Sequence, residues 1–522
     1  MKRRTFLGRS ALAGLGLLAG CQHPGSSRAE ARAASSAGQA LPMPAVVTPG
    51  TGAIATLDAQ GGLHAFRAGG RTPTLGFGQA YLGPVIRLQR GQNARIRVGN
   101  QTKQPVTAHW HGLHVEGRFD GGPQTAFGPG EHWTTELDID QPAATLWYHS
   151  HVHGQTGPQV YDGLAGMLII DDPQAPPSGL PDTWGEDDLP LIVQDKAFRD
   201  DDGLVYSRRG PMMMHGFRAG DIIVNGAIRP RATVPAGLVR LRVLNASNAR
   251  IYTFGFDDDR SFHQVATDGG LLAAPVPMKT LVLAPAERAE IIVDFAGGGT
   301  VRLLSTPDSN DPMGGGMGGR MMGRMMGVPG SPPAATADGR FEILTFHVDP
   351  ALAARVKQLP ARIAGAPAQP DWGQPARTRE FHLDMGMGMG GGRGMGGGMG
   401  GGMGRGMGGM GGMGMMTING LSMAMERIDH AVRRGETELW RVYSDQMAHP
   451  FHVHGTSFQV LSSNGRALPF ATTGLKDVVL VDGQADLLVR FDRTASETFP
   501  YMFHCHILEH EDAGMMGQFT VT

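Results

Sequence analysis

The sequence predicts an all-β protein made of three Greek-key β-sandwich domains in tandem. Three observations lead to this prediction. The chain has 522 residues, which is too long for one core and suits three domains of about 150 residues each. A strand pattern recurs three times at domain-sized intervals, and short alternating runs are separated by Gly, Pro and Asp turns with little helical periodicity.

The recurring pattern is a strand that follows a glycine turn. Residues 90–100, 235–245 and 434–442 each pass from a glycine into alternating residues, which read RIRV, RLRV and LWRV. Alternation with a period of two places one set of side chains on the core face and the other on the solvent face. We therefore predict the same structural unit three times.

Two linkers divide these units. Residues 172–187 are rich in Asp and Pro, and residues 350–376 are rich in Ala and Pro. The predicted organisation is a leader and flexible N-terminus at 1–40, a first domain at 41–173, a second at 188–349 and a third at 376–522, with a Met/Gly-rich insert at 385–416.

Charge and cysteine content exclude several classes of protein. The net charge is −2, so no large basic field exists to bind nucleic acid or an anionic membrane. The chain has only 2 Cys, one in the leader and one near the C-terminus. A structural disulfide within the mature chain is therefore not expected, and Cys505 is available for chemistry.

The N-terminus predicts export. Residues 3–7 (RRTFL) form a twin-arginine pattern, and the apolar stretch at 11–19 is too short for a stable transmembrane helix. Residues 18–21 (LAGC) resemble a lipobox, which would make Cys21 a lipid anchor; the alternative is cleavage near 31–33. The twin-arginine route carries folded proteins, which suits a cofactor enzyme in the periplasm or cell envelope.

Ten of the 20 His lie in four tight clusters. The clusters are 109–112 (HWHG), 149–151 (HSH), 449–455 (HPFHVHG) and 504–510 (HCHILEH). One HxH pair is weak evidence for metal binding. Four clusters, present in the first and third repeats and absent from the second, predict a metal centre.

Strand geometry divides the last cluster between two sites. Successive side chains of a strand point to opposite faces, so His504 and His506 share one face and Cys505 points the other way. The loop after this strand adds His510 and Met515. With the remote His449, these residues form a His2Cys set with a thioether axial ligand, the composition of a blue-copper site.

The other eight His come in equal numbers from the first and third domains. They are His109, His111, His149, His151, His452, His454, His504 and His506. Such a cluster between two domains can hold three coppers, enough to deliver electrons to O2 without releasing partly reduced species. Ser150 stands where the third domain has Cys505, which predicts a single blue site.

These four motifs resemble those of the three-domain multicopper oxidases, most closely the bacterial periplasmic cuprous oxidases of copper efflux. The resemblance covers the chain from about residue 75 to the end. It implies cupredoxin-like domains, four copper ions and O2 as electron acceptor. It assigns the type 2 copper to His109 and His452; the type 3 pair to His111, His149, His151, His454, His504 and His506; and the type 1 copper to His449, Cys505, His510 and Met515.

Two carboxylates are candidate proton donors, because the reduction of O2 to water consumes four protons. Asp120 lies in a Gly-rich turn after the first His pair, and Glu511 adjoins His510. Both match positions that the family uses for proton delivery. The alternative for each is a solvated carboxylate in a turn.

The methionines bear on the substrate. The chain has 30 Met, concentrated at 212–214, 313–326 and 385–416, where we expect surface loops rather than core. Thioether sulfur is a soft ligand that prefers Cu(I), although low-complexity filler is the alternative. Asp445 and Met447 match substrate-copper ligands of the cuprous oxidases, and Asp384 with Met385 would complete a labile site.

The predicted function is therefore oxidation of Cu(I) by O2 in copper tolerance, by a protein that we expect to be a monomer. One alternative is a laccase that oxidises phenols or aromatic amines. The other is a copper-storage or chaperone protein that uses the same fold as a scaffold.

Overall fold

The computed structural model describes residues 38–50, 52–67, 69–209, 211–308, 310, 333, 335–386 and 416–522. The leader with Cys21, the methionines at 313–326 and most of the Met/Gly-rich insert lie outside the described residues. The predictions for those segments stay predictions.

The first domain has two four-stranded sheets, ordered β1-β4-β8-β7 and β3-β2-β5-β6. Its strands are β1 (Val46–Val47), β2 (Ile54–His64), β3 (Thr72–Phe77), β4 (Val85–Gln89), β5 (Asn93–Asn100), β6 (His132–Asp138), β7 (Ala144–His149) and β8 (Ala165–Asp171). Two short helices, α1 (Gly117–Asp120) and α2 (Thr156–Asp162), and a 3-10 turn at Pro123–Thr125 lie between strands. Gly91, which precedes β5, has a φ of 83° and makes the predicted turn.

The second domain has an eight-stranded and a five-stranded sheet, the latter ordered β13-β21-β20-β15-β18. Its strands are β9 (Asp188–Phe198), β10 (Leu204–Val205), β11 (Asp221–Val224), β12 (Ala227–Ile228), β13 (Arg231–Pro235), β14 (Leu238–Asn245), β15 (Tyr252–Phe256), β16 (Phe262–Thr267), β17 (Gly270–Met278), β18 (Leu281–Leu283), β19 (Arg288–Asp294), β20 (Thr300–Thr306) and β21 (Phe341–Asp349). Helix α3 (Pro211–His215) lies between β10 and β11.

The third domain has one ten-stranded sheet, whose main path runs β24-β31-β30-β25-β29-β26-β27. Its strands are β22 (Arg377–Met385), β23 (Met416–Ile418), β24 (His430–Val432), β25 (Thr437–Val453), β26 (Phe458–Ser463), β27 (Arg466–Ala467), β28 (Leu475–Lys476), β29 (Val478–Arg490), β30 (Tyr501–Cys505) and β31 (Met516–Val521). Its helices are α4 (Phe470–Thr473) and α5 (Leu508–Asp512). The register of β25 against β29 shifts between Ser444 and His449, so β25 bulges just before a predicted copper ligand.

Each domain has its own apolar core, and a further core cluster joins all three. That shared cluster includes Trp147 from the first domain, Ile192 from the second, and Val478 and Leu508 from the third. Burial of apolar side chains against one another fixes the first and third domains in contact, and the His clusters lie at this contact. The all-β prediction is confirmed. No helix within the described ranges is long and apolar enough to span a membrane.

Candidate metal centre

Eight imidazoles from the first and third domains meet in a closed interior site. Their side chains are at most 1% exposed. Strand β7 contributes His149, β25 contributes His452, and β30 contributes His504. The others follow these strands directly or lie on the loop that runs antiparallel to β7, where His109 bridges His149. The structure thus brings together the eight His that the sequence analysis assigned to a three-copper cluster.

Most of these imidazoles use one ring nitrogen for orientation. Nδ1 donates to a backbone carbonyl oxygen in His109 (2.9 Å to Asp120), His149 (2.9 Å to Ser150), His452 (2.7 Å to Asp477) and His504 (3.1 Å to Cys505). A proton on Nδ1 leaves a lone pair on Nε2. Nε2 of His109, His149 and His452 has no protein partner although it is buried. Anchored rings with unpaired inner nitrogens are the arrangement that metal ligation requires.

The ring nitrogens that face the interior lie close enough together to bind a shared metal ion. His151, His454 and His504 offer atoms that all lie within 4.8 Å of one another, and so do His109, His111 and His149. The Nε2 atom of His504 lies 3.3 Å from that of His151 and 3.2 Å from that of His454. Burial lowers the pKa of His151 and His454 well below its ordinary value, and that of His504 to about 3. They are neutral at pH 7 and can bind copper without first losing a proton.

Two carboxylates, one from the first domain and one from the third, contact the cluster. Asp120 Oδ2 lies 2.7 Å from Nδ1 of His454. Glu511 Oε1 lies 3.4 Å from Nδ1 of His151, and Oε2 lies 3.3 Å from Nδ1 of His504. Both side chains are buried, and burial raises the pKa of Glu511 well above its ordinary value. A raised pKa favours the protonated form, and a protonated carboxyl group beside the cluster can donate its proton.

The sequence analysis missed a third acid, Asp477. Its Oδ1 atom lies 3.0 Å from Nε2 of His111, and the two residues are 366 positions apart in the chain. Both oxygens also accept hydrogen bonds from Arg288 of the second domain. Neither residue belongs to a motif near a His cluster, so no local signal in the sequence pointed to them.

The predicted type 1 ligands form a separate group. His449, Cys505 and His510 offer atoms within 4.8 Å of one another, and Cys505 Sγ lies 3.8 Å from Nδ1 of His510. Met515 is fully buried in the same core cluster, and its carbonyl oxygen accepts from the amide of Cys505 at 3.1 Å. The position of His510 differs from the prediction: it lies on helix α5 rather than in a loop. One helical turn points its ring back toward Cys505.

Burial raises the pKa of the Cys505 thiol well above its ordinary value. A cysteine in this environment is inert unless a cation stabilises the thiolate, and a bound metal ion does so. Burial also lowers the pKa of His449 to about 4. A neutral imidazole pair and a soft sulfur suit copper, so this donor set fits the predicted type 1 ion.

The predicted substrate-copper ligands do not all meet. Asp445 is exposed and Met447 is half-buried, and both lie in the bulge of β25. On β22, Asp384 is exposed whereas Met385 is buried in the third-domain core, because neighbouring strand residues face opposite sides. Asp384 and Met385 therefore do not point into one site, which corrects their pairing in the prediction.

The methionines at 212–214 and the two ends of the Met/Gly-rich insert were wrongly predicted to lie in loops without core contacts. Residues 212–214 belong to helix α3, which begins with Pro211, and Met212 is buried. Met385 and Met416, the ends of the insert, pair across β22 and β23 inside the core. Methionine is a good helix former and a flexible core residue, so its clustering alone does not indicate a loop.

Helix α3 covers the type 1 group from the second domain. Met213 and Met214 are half-buried and pack against the core cluster that contains Cys505 and Met515, and Met447 packs against the same cluster. The carbonyl oxygen of Met214 accepts a hydrogen bond from Nε2 of His510 at 3.1 Å. Met214 thus contacts a predicted type 1 ligand directly, and Met213 and Met447 pack against the same third-domain core.

Comparison with known proteins agrees with this geometry. Multicopper oxidase family models match residues 62–175 and 406–522. A multicopper oxidase of Staphylococcus haemolyticus is 32% identical to this chain, in an alignment that covers 90% of this chain and 88% of the Staphylococcus protein. The cell division protein FtsP of Yersinia pestis is 34% identical over 99% of this chain and 98% of its own.

Solved structures give the same result. A laccase-like multicopper oxidase of Ochrobactrum sp., with oxidase activity towards lignin model compounds, has a TM-score of 0.78 and 36% identity, covering 92% of this chain and 100% of its own. A multicopper oxidase of Campylobacter jejuni, described as a metallo-oxidase, has a TM-score of 0.74 and 26% identity, covering 92% and 96%. The matched domains contain the paired His clusters and the cysteine strand, and the chain belongs to the multicopper oxidase family.

Proposed function

We propose that the protein is a cuprous oxidase of the cell envelope, which oxidises Cu(I) to Cu(II) with O2 and thereby contributes to copper tolerance. The observation that carries the proposal is the packing of Met213, Met214 and Met447 against the core cluster that contains Cys505 and Met515. Thioether ligands prefer Cu(I) over harder cations. The methionines therefore supply a docking surface for the reduced ion beside the electron entry point.

His510 connects this surface to the interior. Its ring is fully buried, and Nε2 donates to the carbonyl oxygen of Met214. Its other ring nitrogen faces Cys505 Sγ at 3.8 Å. A cuprous ion on the thioethers of α3 would thus lie beside His510, which is itself one of the predicted type 1 ligands. Exposed Asp445 lies in the same bulge of β25 as Met447 and adds an acidic side chain there.

The overall reaction balances as four Cu(I), one O2 and four protons giving four Cu(II) and two H2O. When bound, the resident coppers supply one-electron acceptance at the type 1 site and four-electron reduction of O2 at the three-copper cluster. Cys505 and its neighbours His504 and His506 give the two ligand sets a direct covalent connection. Glu511 and Asp120, which contact imidazoles of the cluster, would deliver the protons.

The test is O2 uptake by the copper-loaded protein, with a Cu(I) complex or dimethoxyphenol as the donor, and with or without added Cu(II). The proposal expects fast uptake with Cu(I), and phenol oxidation that requires added Cu(II). Fast phenol oxidation without added copper, together with slow Cu(I) oxidation, would contradict it.

The docking surface is tested by Met213→Leu, Met214→Leu and Met447→Leu, alone and combined. Leucine keeps the apolar volume and removes the sulfur, so we expect a higher KM for Cu(I) and an unchanged type 1 spectrum. Met278→Leu is the matched control, because Met278 is a partly buried methionine that packs against the second-domain core. Deletion of 386–414 tests the insert and should lower Cu(I) oxidation.

A laccase is the second candidate. It is supported by the 36% identity to the Ochrobactrum enzyme, which acts on lignin model compounds. In that case the methionines cover the entry point without binding substrate. Removal of the insert should then leave phenol oxidation unchanged or raise it, in contrast to the cuprous oxidase.

A role without turnover is the third candidate, either as a copper store or in cell division, as named for the FtsP relatives. The complete sets of buried His and Cys argue for turnover instead. A copper-loaded sample that lacks intense blue colour would favour this third candidate.

Export by the twin-arginine route, with a lipid anchor at Cys21, is part of the proposal. Fractionation of cells that express the wild type, Arg3→Lys with Arg4→Lys, or Cys21→Ala tests it. The proposal expects envelope activity to be lost in the double variant and released from the membrane in Cys21→Ala.

A further inference from the structure

Arg288 lies at the point where all three domains meet. It begins strand β19 of the second domain and is fully buried. Its Nε donates to the carbonyl oxygen of Thr145 in the first domain at 3.1 Å. Its Nη1 and Nη2 donate to the two carboxylate oxygens of Asp477 in the third domain, at 2.7 Å and 2.6 Å.

The remaining donors of Arg288 are also satisfied. Nη1 donates to the carbonyl oxygen of Ala286 at 3.0 Å, and Nη2 donates to that of Asp268 at 3.2 Å. A guanidinium has five N–H donors in a rigid plane, and all five have acceptors here. The orientation of Arg288, and with it that of the Asp477 carboxylate, is therefore fixed by three domains together.

Asp477 in turn orients two imidazoles of the three-copper cluster. Its Oδ1 accepts from Nε2 of His111 at 3.0 Å, and its backbone carbonyl accepts from Nδ1 of His452 at 2.7 Å. The first contact places the proton of His111 on Nε2, so the lone pair is on Nδ1. That Nδ1 atom is buried without a protein partner. His111 thus presents the opposite ring nitrogen from His109, His149 and His452.

The glycine of the HWHG motif makes room for this contact. Gly112 has a φ of 89°, and a Cβ at this position would lie 2.6 Å from Asp477 Oδ2 and 3.0 Å from Arg288 Nη2. Any larger residue would push the ion pair away from His111. The motif therefore supplies a ligand and also the space for the residue that orients it.

We propose that Arg288 and Asp477 are positioning residues for the three-copper cluster, by which the domain without a His cluster sets the tautomer of His111. Asp477, His111 and His452 also lie within metal-ligand distance of one another. Both carboxylate oxygens are held by Arg288, however, so Asp477 acts on the imidazole rather than as a ligand. This inference is independent of the substrate of the enzyme.

The test compares Asp477→Asn and Arg288→Lys with a control for the loss of a buried ion pair. An asparagine can offer its amide N–H to His111, which would move the ring proton to Nδ1 and remove the lone pair from the cluster. A lysine has one point charge and cannot hold both oxygens of Asp477. The control is Asp188→Asn. Asp188 accepts two hydrogen bonds from the buried Arg242 at 2.7 Å and 2.8 Å, and Arg242 also reaches Thr145 of the first domain.

The readouts are the copper content after dialysis against a chelator, the EPR spectrum, and the thermal midpoint of the metal-free protein. We expect Asp477→Asn to weaken binding of the cluster coppers about 10–100-fold, with the type 1 spectrum retained. Arg288→Lys should also weaken binding of the cluster coppers, and we expect both variants to show an altered type 2 EPR signal. Asp188→Asn should lower the thermal midpoint but load copper as the wild type does. Normal cluster loading and EPR in both test variants would overturn the proposal, as would an equal loss of copper in Asp188→Asn.

Discussion

The segments 149–151 and 504–506, at the ends of strands β7 and β30, are the same structural feature with different chemistry between two histidines. In the first domain, Ser150 donates to Gln159 Oε1 at 2.5 Å and accepts from the amide of Thr107 at 3.3 Å. In the third domain, Cys505 lies within ligand distance of His449 and His510. The outward histidines of both strands serve one shared cluster.

A metal site in this fold therefore depends on the residues at three positions rather than on the residue at one. A serine, a threonine and a glutamine close the first-domain position with hydrogen bonds. At the third-domain position, Nε2 of His449 is buried without a protein partner. Each of the two domains also supplies an acid that contacts a histidine of the other. Asp120 of the first domain contacts His454 of the third, and Glu511 of the third contacts His151 of the first.

The largest expected effect is that of Cys505→Ser, which gives the third domain the serine of the first. The hydroxyl is a poor copper ligand, so the direct connection between the two ligand sets is lost. We expect O2 uptake with any donor to fall by more than the roughly 100-fold typical of losing an outer partner of a ligand. Turnover near the wild-type rate would show that electrons do not enter by this strand.

These two acids are tested by Asp120→Asn and Glu511→Gln. Both substitutions keep the shape of the side chain and remove the exchangeable carboxyl proton. We expect kcat for O2 uptake to fall about 100-fold in each variant while the copper content stays constant. If only one variant is slow, protons enter through one domain and the two regions are not equivalent.

A pH titration of the metal-free protein distinguishes the two positions again. The side chain of Cys505 has two imidazoles beside it, whereas that of Ser150 has a threonine and a glutamine. Burial lowers the pKa of His449 to about 4, whereas an unfolded chain has a pKa near 6.5. The unfolded state then binds more protons between pH 4 and 6.5, so stability falls as the pH falls through that range, by at most about 1.4 kcal/mol per pH unit for this residue. His449→Gln should flatten this dependence in denaturant midpoints at pH 7 and pH 5. An unchanged slope would contradict the burial argument.

The smallest expected effect is that of Ser150→Cys, the reverse exchange. Thr107 and Gln159 offer no imidazole, so we expect no second blue site and an unchanged visible spectrum. Loss of the hydrogen bonds to Ser150 should cost about 1 kcal/mol of stability, seen as a small decrease in the thermal midpoint. New blue absorption in this variant would show that the cysteine alone determines the site.

Strand periodicity explains why so much of this comparison was predictable from the sequence. Two histidines that flank one residue on a strand share a face, so the division between His504 and Cys505 followed from the order of residues. Asp477 and Arg288 were not predictable, because their contacts join residues 366 and 189 positions apart without a motif. The methionines gave a wrong prediction for a different reason: composition suggested loops, whereas Met212 lies in a helix and Met385 is buried at the end of strand β22.

The most direct test of this account is the copper content and EPR spectrum of Cys505→Ser beside the wild type. We predict that the blue absorption and the type 1 EPR signal disappear while the type 2 signal and the coppers of the cluster remain. Loss of all copper from the variant would contradict the account, because the cysteine and its two flanking histidines would then serve a single site. Retention of the blue absorption would contradict it as well, because Cys505 would then not be a copper ligand.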